Sequence, residues 1–396
     1  MFNEMLETLT IFIFYVLFVF SMLVALMGII NLFVIGKASS SNSFKTQNAL
    51  VSILIPARNE ESNIGRCLYS LIDQSYKNIE IIILDDDSID STFNIASEIA
   101  NKDKRIKIFK GMPIEKNWLG KNWACHQLSN LANGDMLLFI DADTKLQSKT
   151  IEETVMEMES SDIDLISLFP KRVTSTAVDK IISVTVGWFI FSCLPIMLAN
   201  KNPIFSSAFG QYLLFRRGAY FSIGGHESIK DNILDDFELG RSITRDGFNL
   251  KVFDGTDRIS TFSYSSEKEA IDGLSKSIFP FFQNRIVPFF LLWILFMAMG
   301  IVPVLLVFGD LFQVRLSRSK EIMAFLIWGS LTLSWVISSY RSKQGLLPGI
   351  FFPIITTITA IIGIFSVLTF LFNKVIWKDR NVSNQDDEIS NYEEAE

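Results

Sequence analysis

Histidine and cysteine are scarce: the 396 residues hold two of the first and three of the second. Cys67, Cys125 and Cys193 cannot all pair and fall at no metal-ligand spacing, so each reads as a reduced core residue, as expected in cytosol. Basic residues are nowhere concentrated and the net charge is −7, which leaves no electrostatic footprint for nucleic acid. No internal repeat is present. The fingerprint G-x-G-x-x-G is missing after the first strand pattern, where "PARNEES" stands instead, and there is no Walker lysine loop. Dinucleotide and P-loop folds are thereby set aside.

What the chain has in excess is apolar surface. It is 49% hydrophobic and 20% charged, too apolar for an ordinary soluble protein and too charged for a pure transporter. The apolar residues are bunched: residues 8–35 are almost wholly apolar, 50–270 look globular, and 278–373 turn apolar again. This is the pattern of a membrane-anchored globular domain. The first run is too long for a signal-peptide core, and Glu4 and Glu7 precede it in place of a basic leader, so residues 1–36 are expected to be an uncleaved anchor. Acids precede it while Lys37 and Lys45 follow, which places the globular domain of a multi-pass cell-membrane protein on the cytoplasmic side. Residues 381–396 carry six acids, from Asp386 onward, and no base, and the stretch 374–396 reads as an acidic disordered tail.

Within the globular part, strand and helix patterns alternate. "VSILIPA" (51–57), "IEIIILDDD" (79–87), "RIKIF" (105–109) and "DMLLFIDAD" (135–143) read as buried strands, each followed by a stretch of helical spacing. Such alternation implies a parallel α/β sheet with helices on both faces, whose ligands sit at the carboxyl ends of the strands. Pro56, the run Asp85-Asp86-Asp87, and Asp141 with Asp143 all fall at those ends. Carboxylates gathered there are costly unless something cationic meets them. A divalent Mg²⁺ or Mn²⁺ bridging a substrate's phosphates is the expected partner, since hard ions prefer carboxylate and phosphate oxygen. The plainer alternative is that some of these acids cap the following helices, a role assigned to Asp90 and Ser91.

The ordered set "VSILIPARNEE", "IIILDDDSID", "WLGKNWACHQ", "LLFIDADT" and "GGHESIKDNILDDFELG", with flanking membrane segments, resembles the family 2 glycosyltransferases of GT-A fold over residues 50 to about 277. The resemblance implies an α/β nucleotide-diphospho-sugar transferase domain. Pro56, Ala57 and Glu60 then lie where the family's first loop contacts base and ribose, and Asp86 where an acid meets uracil. Lys121 matches a basic position near the diphosphate. Asp141 and Asp143 form the D-x-D, the first toward ribose and the second ligating the metal. Asp235 and Asp236 match the acid pair of inverting members, with Asp236 preferred as general base; that both acids merely start a helix, where they favour the positive end of its dipole, is the plainer reading. His226, in "GGH", resembles an acceptor-side residue, whereas His126 reads as a helix-face residue. Within the family, the chain is similar to the carotenoid- and hopanoid-associated subset. The Q-x-x-R-W of processive synthases is absent, its nearest counterpart being "QNRIV" at 283–287.

The uncharged stretch 181–200 lies between the two acid pairs. A single membrane crossing there would put those pairs on opposite sides, so it is expected either as a core helix or, preferably, as an acceptor-facing element lying along or dipping into the membrane, with Trp188, Phe189 and Phe191 at the interface. Three further spans are expected at about 286–309, 322–340 and 349–373. Charge leaves their topology open: one crossing by the first would place Arg315, Arg318 and Lys320 outside, and a re-entrant arrangement would return them inside. The function implied is inverting, non-processive transfer of one sugar from a nucleotide diphosphate-sugar, a UDP-hexose by expectation, to a lipid acceptor in the bilayer. A membrane polysaccharide synthase and a catalytically silent scaffold are the alternatives.

Overall fold

The computed structural model describes residues 2–38, 49–199, 201–262, 264, 266–309, 317–372, 376–377 and 380–381. The acidic run from Asp386, together with Lys45 and Arg315, lies outside the described residues. The chain divides into two compact units. One comprises Met1–Val34, Thr174–Pro195 and Tyr264–Phe372; the other comprises Ile35–Val173, Ile196–Ser263 and the stretch from Asn373.

After helix α1 (Phe2–Val34) the chain enters the α/β unit with β1 (Val51–Ala57), α2 (Ile64–Ile72), β2 (Ile79–Asp85), α3 (Thr92–Ala100), β3 (Ile106–Lys110), α4 (Gly120–Leu131) and β4 (Met136–Phe139). A short β5 (Thr144–Leu146), α5 (Thr150–Ser160), β6 (Leu165–Phe169) and β7 (Lys171–Arg172) follow. β1 and β2 are buried almost throughout, because a sheet covered on both faces has no wet side and its strands run apolar without alternation. Their Ile53, Ile55, Ile81 and Ile83 pack with Leu68 and Leu71 of α2 and with Ile151 and Val155 of α5 in one core.

After Pro195 the chain returns to this unit and forms β8 (Leu213–Arg216), α7 (Arg217–Ser222), α8 (Asp235–Arg245), β9 (Leu250–Asp254) and β10 (Ile259–Thr261), with the helix α6 (Ala177–Trp188) lying earlier, in the helical unit. The main sheet has the order β3-β2-β1-β4-β8-β6-β9, and β5, β10 and β7 form a small second sheet. The main sheet is mixed, not wholly parallel as the strand–helix alternation suggested: β8 runs antiparallel to both β4 and β6. The register decides where function can lie. Ala57 pairs with Asp85, so β1 and β2 end together, while the last residue of β4, Phe139, pairs with Leu54, so the segment after β4 runs alongside the last residues of β1. Leu213, the first residue of β8, is opposite Phe139, the last of β4. The residues just before β8 therefore reach the same edge as the acids that follow β4.

The helical unit contains α1, α6, α9 (Glu267–Phe281), α10 (Ile286–Val307), α11 (Arg318–Arg341), the short α12 (Leu347–Ile350) and α13 (Phe352–Leu371). Among the described residues, four helices are long and apolar enough to cross a membrane, over Ile11–Val34, Ile286–Val307, Arg318–Arg341 and Phe352–Leu371. One is N-terminal and three are C-terminal, as the sequence reading expects. α6 continues as a π-helical turn, Phe189–Cys193, and Asn31 Nδ2 donates to the carbonyls of Phe191 (2.9 Å) and Leu194 (2.8 Å) where that turn ends. Trp188 and Phe191 were expected at an interface, but both are buried within this unit. Trp188 stacks on Trp335 with ring centroids 4.7 Å apart and donates Nε1–H to Ser334 Oγ at 3.0 Å. Ser192 meets Ser338 at 2.9 Å and Thr185 meets Thr359 at 3.0 Å, small hydroxyl contacts of the kind that hold helices together in lipid.

Candidate active site

The first wall of the site is made by the loops after β1 and β2. The Asp86 N–H donates to Ala57 O at 2.8 Å, extending the strand pairing by one residue past Asp85. Arg58 Nη1 donates to the carbonyls of Asp86 (2.7 Å) and Asp87 (3.0 Å), and Asn59 N–H donates to Ser88 Oγ (3.1 Å). Asn59 and Asp87 both adopt left-handed backbone, with φ of 50° and 57°, which lets the two loops turn tightly against each other. Glu60 N–H donates to Thr92 Oγ1 at 2.7 Å, and a Glu60 carboxylate oxygen accepts from Asn63 Nδ2 at 2.9 Å. Pro56, Ala57, Glu60 and Asp86 thus belong to one cross-linked edge, with the Asp86 side chain buried.

The second wall is α4. Asn122, almost fully buried, uses its side-chain amide to donate to the carbonyls of Ile229 (2.9 Å), Lys230 (3.2 Å) and Asn232 (2.9 Å), and Leu119 N–H donates to Lys230 O at 2.8 Å. The loop leading to Asp235 is in this way fastened to the first turn of α4. Lys121, one residue away, consequently reaches both acid pairs: its Nζ is 3.0 Å from Asp141 Oδ1 and 3.0 Å from Asp235 Oδ2. Burial alone would depress the ammonium, but Asp141 and Asp235 outweigh it and hold its pKa well above the ordinary lysine value. Its side chain remains 42% exposed, so solvent screens part of this attraction. Burial raises the pKa of Asp141, and Lys121 opposes that rise.

Asp236 is held differently from its neighbour. Its Oδ2 accepts the Gly210 N–H at 2.9 Å and its Oδ1 accepts the Phe237 N–H at 2.8 Å. Burial, then the charge of Asp235, pushes its pKa up to about 7. A carboxyl poised near neutrality is suited to taking up a proton.

Pro56, Lys121, Asp141, His226 and Asp235 line a single cleft together with Phe139 and Gly210. Ala57, Glu60, Asp86 and Asp143 lie at or just past the same strand ends, and Asp236 at the start of α8, without lining it. His226 is buried, and burial pushes its pKa down to about 3, so it is a neutral imidazole. His126 is elsewhere: its ring stacks on Trp123, with centroids 5.6 Å apart, and pairs with Asn130 on the exposed side of α4. The sequence reading missed Gly210 and Gln211, whose side-chain amide reaches Asp141 Oδ2 at 3.4 Å. The available signal was "FGQYLLFRR", a short apolar run preceded by glycine, but only an antiparallel β8 brings its beginning to the carboxyl edge.

Asp143 bears on the expected metal. Its half-buried carboxylate receives one long contact, from Thr144 Oγ1 at 3.4 Å, and among the described residues no lysine or arginine pairs with it. No cluster of three or more His, Cys, Asp or Glu side chains placed to hold an ion occurs among the described residues either. The donors are hard oxygens, too few for a closed cage. They fit a Mg²⁺- or Mn²⁺-like ion that completes its shell with water and substrate phosphate.

This mixed α/β sheet, with acids and a lysine converging at its carboxyl edge, is GT-A-like, and residues 52–221 match the family model for Glycosyl transferase family 2. The matched residues run from β1 to α7. Over 93% of its length it superposes on 99% of the mannosyltransferase PcManGT from Pyrobaculum calidifontis, solved in complex with GDP-Man and Mn²⁺, at a TM-score of 0.56 and 14% identity. In sequence it is similar to 4,4'-diaponeurosporenoate glycosyltransferase from Staphylococcus haemolyticus, 29% identical over 236 residues, and to that from Staphylococcus aureus strain bovine RF122, 27% identical over 237 residues. Each alignment covers 58% of this chain, and the chain spans 60% of the length of each of these relatives.

Proposed function

We propose that this protein is an inverting glycosyltransferase that moves one sugar from a nucleotide diphosphate-sugar, a UDP-hexose, to a lipophilic acceptor such as a carotenoid or another membrane lipid. The observation that carries the reading is the bridging of Asp141 and Asp235 by Lys121, beside an Asp236 fixed by the Gly210 N–H. The names of the relatives, and the GDP-Man and Mn²⁺ bound to PcManGT, support it.

In this reading Pro56, Ala57, Glu60 and Asp86 hold the nucleoside, Asp141 the ribose, and Lys121 the diphosphate. Asp143 would hold a divalent cation, which when bound offsets charge developing on the departing diphosphate. Asp236, ionised, accepts the acceptor's proton as its oxygen attacks the anomeric carbon. The carbon–oxygen bond to the diphosphate breaks on the opposite face, and that oxygen keeps the electron pair. Inversion follows from the opposed positions of base and leaving group. The four apolar helices would keep the enzyme in the cell membrane with the α/β unit on the cytoplasmic side, where a soluble donor meets a lipid acceptor.

The test is incubation of the full-length protein in lipid with radiolabelled UDP-glucose, UDP-galactose or GDP-mannose and Mg²⁺ or Mn²⁺. Label should pass into the organic phase, or nucleoside diphosphate be released, only with the cation present. Failure to consume any nucleotide sugar under these conditions refutes the proposal.

A further inference from the structure

We propose that Tyr220 is a positioning residue that fixes His226 as a neutral imidazole carrying its hydrogen on Nε2, so that the cleft contains an uncharged donor for a hydroxyl oxygen of the substrate. The tautomer rests on the geometry alone, and the nature of the oxygen rests on the glycosyl-transfer reading above.

One phenol oxygen serves two atoms of the same histidine. Tyr220 Oη accepts the backbone N–H of His226 at 3.1 Å and lies 2.7 Å from its Nδ1. In the arrangement proposed the phenol gives its single hydrogen to Nδ1, and Nδ1 accepts it only if the ring hydrogen is on Nε2. Ser129 Oγ also stands beside this phenol; it donates its own hydrogen to His126 O at 2.7 Å and is a competing acceptor for the phenol hydrogen. The short approach to Nδ1 favours the histidine.

The sequence builds this contact with two glycines. Gly224 and Gly225 have φ of 80° and 51°, in the left-handed region. A Cβ on Gly225 would lie 2.6 Å from carbons of the Tyr220 ring, so a side chain there would hold the chain away from the phenol. The "GGH" motif is thus one half of a device whose other half is the tyrosine six residues earlier. The Phe139 ring closes it, with centroids 5.2 Å from Tyr220 and 4.8 Å from His226. Both residues are only 1% exposed, in surroundings that oppose an imidazolium. With Nδ1 engaged, Nε2 is the nitrogen left to serve the cleft that His226 lines. A neutral N–H can donate to a hydroxyl, and in the reading above the diphosphate is already met by Lys121.

Nitrogen NMR of the full-length, ¹⁵N-histidine-labelled protein tests the tautomer directly. The chain has only two histidines, so His126→Gln assigns the spectrum. At neutral pH the expected result is a protonated Nε2 and an unprotonated Nδ1 for His226. Tyr220→Phe, which keeps the ring packing, should convert this to a tautomer mixture. A protonated Nδ1, an imidazolium, or an unchanged spectrum in Tyr220→Phe would overturn the proposal.

A second arm uses UDP-glucose and UDP as probes. Replacing His226 by Asn or Ala should slow transfer about tenfold, the scale of one neutral hydrogen bond, and Gln, whose amide can present N–H near the Nε2 position, should recover part of that loss. Weaker UDP-glucose binding at unchanged UDP binding in His226→Ala assigns the oxygen to the donor sugar. Unchanged binding of both with slower transfer to lipid assigns it to the acceptor. Equal weakening of UDP and UDP-glucose moves the contact to the nucleotide, and if 2',3'-dideoxy-UDP is weakened as much as UDP the hydroxyl role is overturned. Should the wild-type protein bind no nucleotide sugar, the glycosyl-transfer reading fails, while the spectra still decide the tautomer.

Discussion

Lys121 and Asp235 meet at 3.0 Å, and the acid next along the chain, Asp236, faces a backbone N–H in place of a cation. Adjacent carboxyls on one helix start therefore have different partners. Asp235 is paired with a lysine, and Asp236 is held by two backbone N–H groups.

Asp236→Asn keeps the shape of the side chain but cannot accept a proton. Turnover is expected to fall by about 10²–10⁴-fold, the usual worth of a positioned base, with nucleotide-sugar affinity little changed. Asp235→Asn should instead weaken donor binding, because Lys121 loses one of the two acids that hold it. Isothermal titration and initial rates on both variants separate the two roles. Normal turnover in both single mutants and in the double mutant would point to a carboxylate acceptor that needs no base.

The pH dependence follows from the environment of Asp236. A base works ionised, so turnover at saturating donor should rise with pH through about 7 and then level off. Burial is the larger cause of the raised pKa and stays in place in Asp235→Asn, but the second cause is removed, so the limb should move to lower pH. The sign for stability is opposite. The folded-state pKa lies above the ordinary 3.8, so folding favours the protonated form, and this group opposes folding increasingly as pH rises from about 4 towards about 7. A rate profile flat from pH 5 to 8 would count against Asp236 as the base.

Gly210 leaves room for two functional groups. A Cβ there would sit 3.3 Å from Lys121 Nζ and 3.4 Å from Asp236 Oδ2, so a branched side chain must displace one or both. Gly210→Val is expected to cost about a hundredfold in turnover, the scale of a reacting group moved by an ångström, without lowering the melting temperature as much as a core substitution would. Wild-type rates in this variant would show that the close approach is dispensable.

Asp143→Ala should abolish the cation dependence of nucleotide-sugar binding and leave the circular dichroism spectrum unchanged. EDTA should have the same effect on the unaltered protein. Full activity in either case would remove the metal from the scheme.

Asn101, at the exposed end of α3, offers a site for a topology probe. Cys67 and Cys125 are buried, so a cysteine introduced at 101 dominates labelling of the α/β unit. In intact cells it should resist membrane-impermeant thiol reagents and react after lysis. Labelling before lysis would put this unit outside.

Much of the architecture was legible because its signals are local. A run such as "IEIIILD", apolar but for Glu80 and its final acid, suits a sheet covered on both faces, and the acids ending it mark the candidate site's edge. The four long apolar helices announce themselves by length. β8 was not legible in the same way: its four residues carry no period, and only its pairing with β4 reveals its direction. Gly210 and Gln211 inherit that difficulty, since their place at the site depends on a non-local pairing. Tyr220 was hidden for a different reason. Its burial and its rings make it look like packing, and its role depends on a backbone turn at Gly224 and Gly225 that the letters alone do not draw. Trp188 misled in the opposite direction, because a tryptophan suits an interface by composition but here finds Ser334 for its N–H inside the helical unit.

The interleaving of the two units along the chain bears on synthesis. A ribosome delivers β1 through β7 before α6, and β8 through β10 before α9 through α13. When α6 emerges, β4 and β6 still lack the strand that will lie between them, and α1 and α6 still lack the α11 face that buries Phe14, Leu17 and Trp188. Both halves must wait, unfinished, for later residues. A chain ending near residue 263 would keep every candidate catalytic side chain, yet it would leave Trp188, Ser192 and Thr185 without the partners they meet on α11 and α13. The last third of the polypeptide, which holds none of the candidate catalytic side chains, would then set when the nascent protein becomes a stable one.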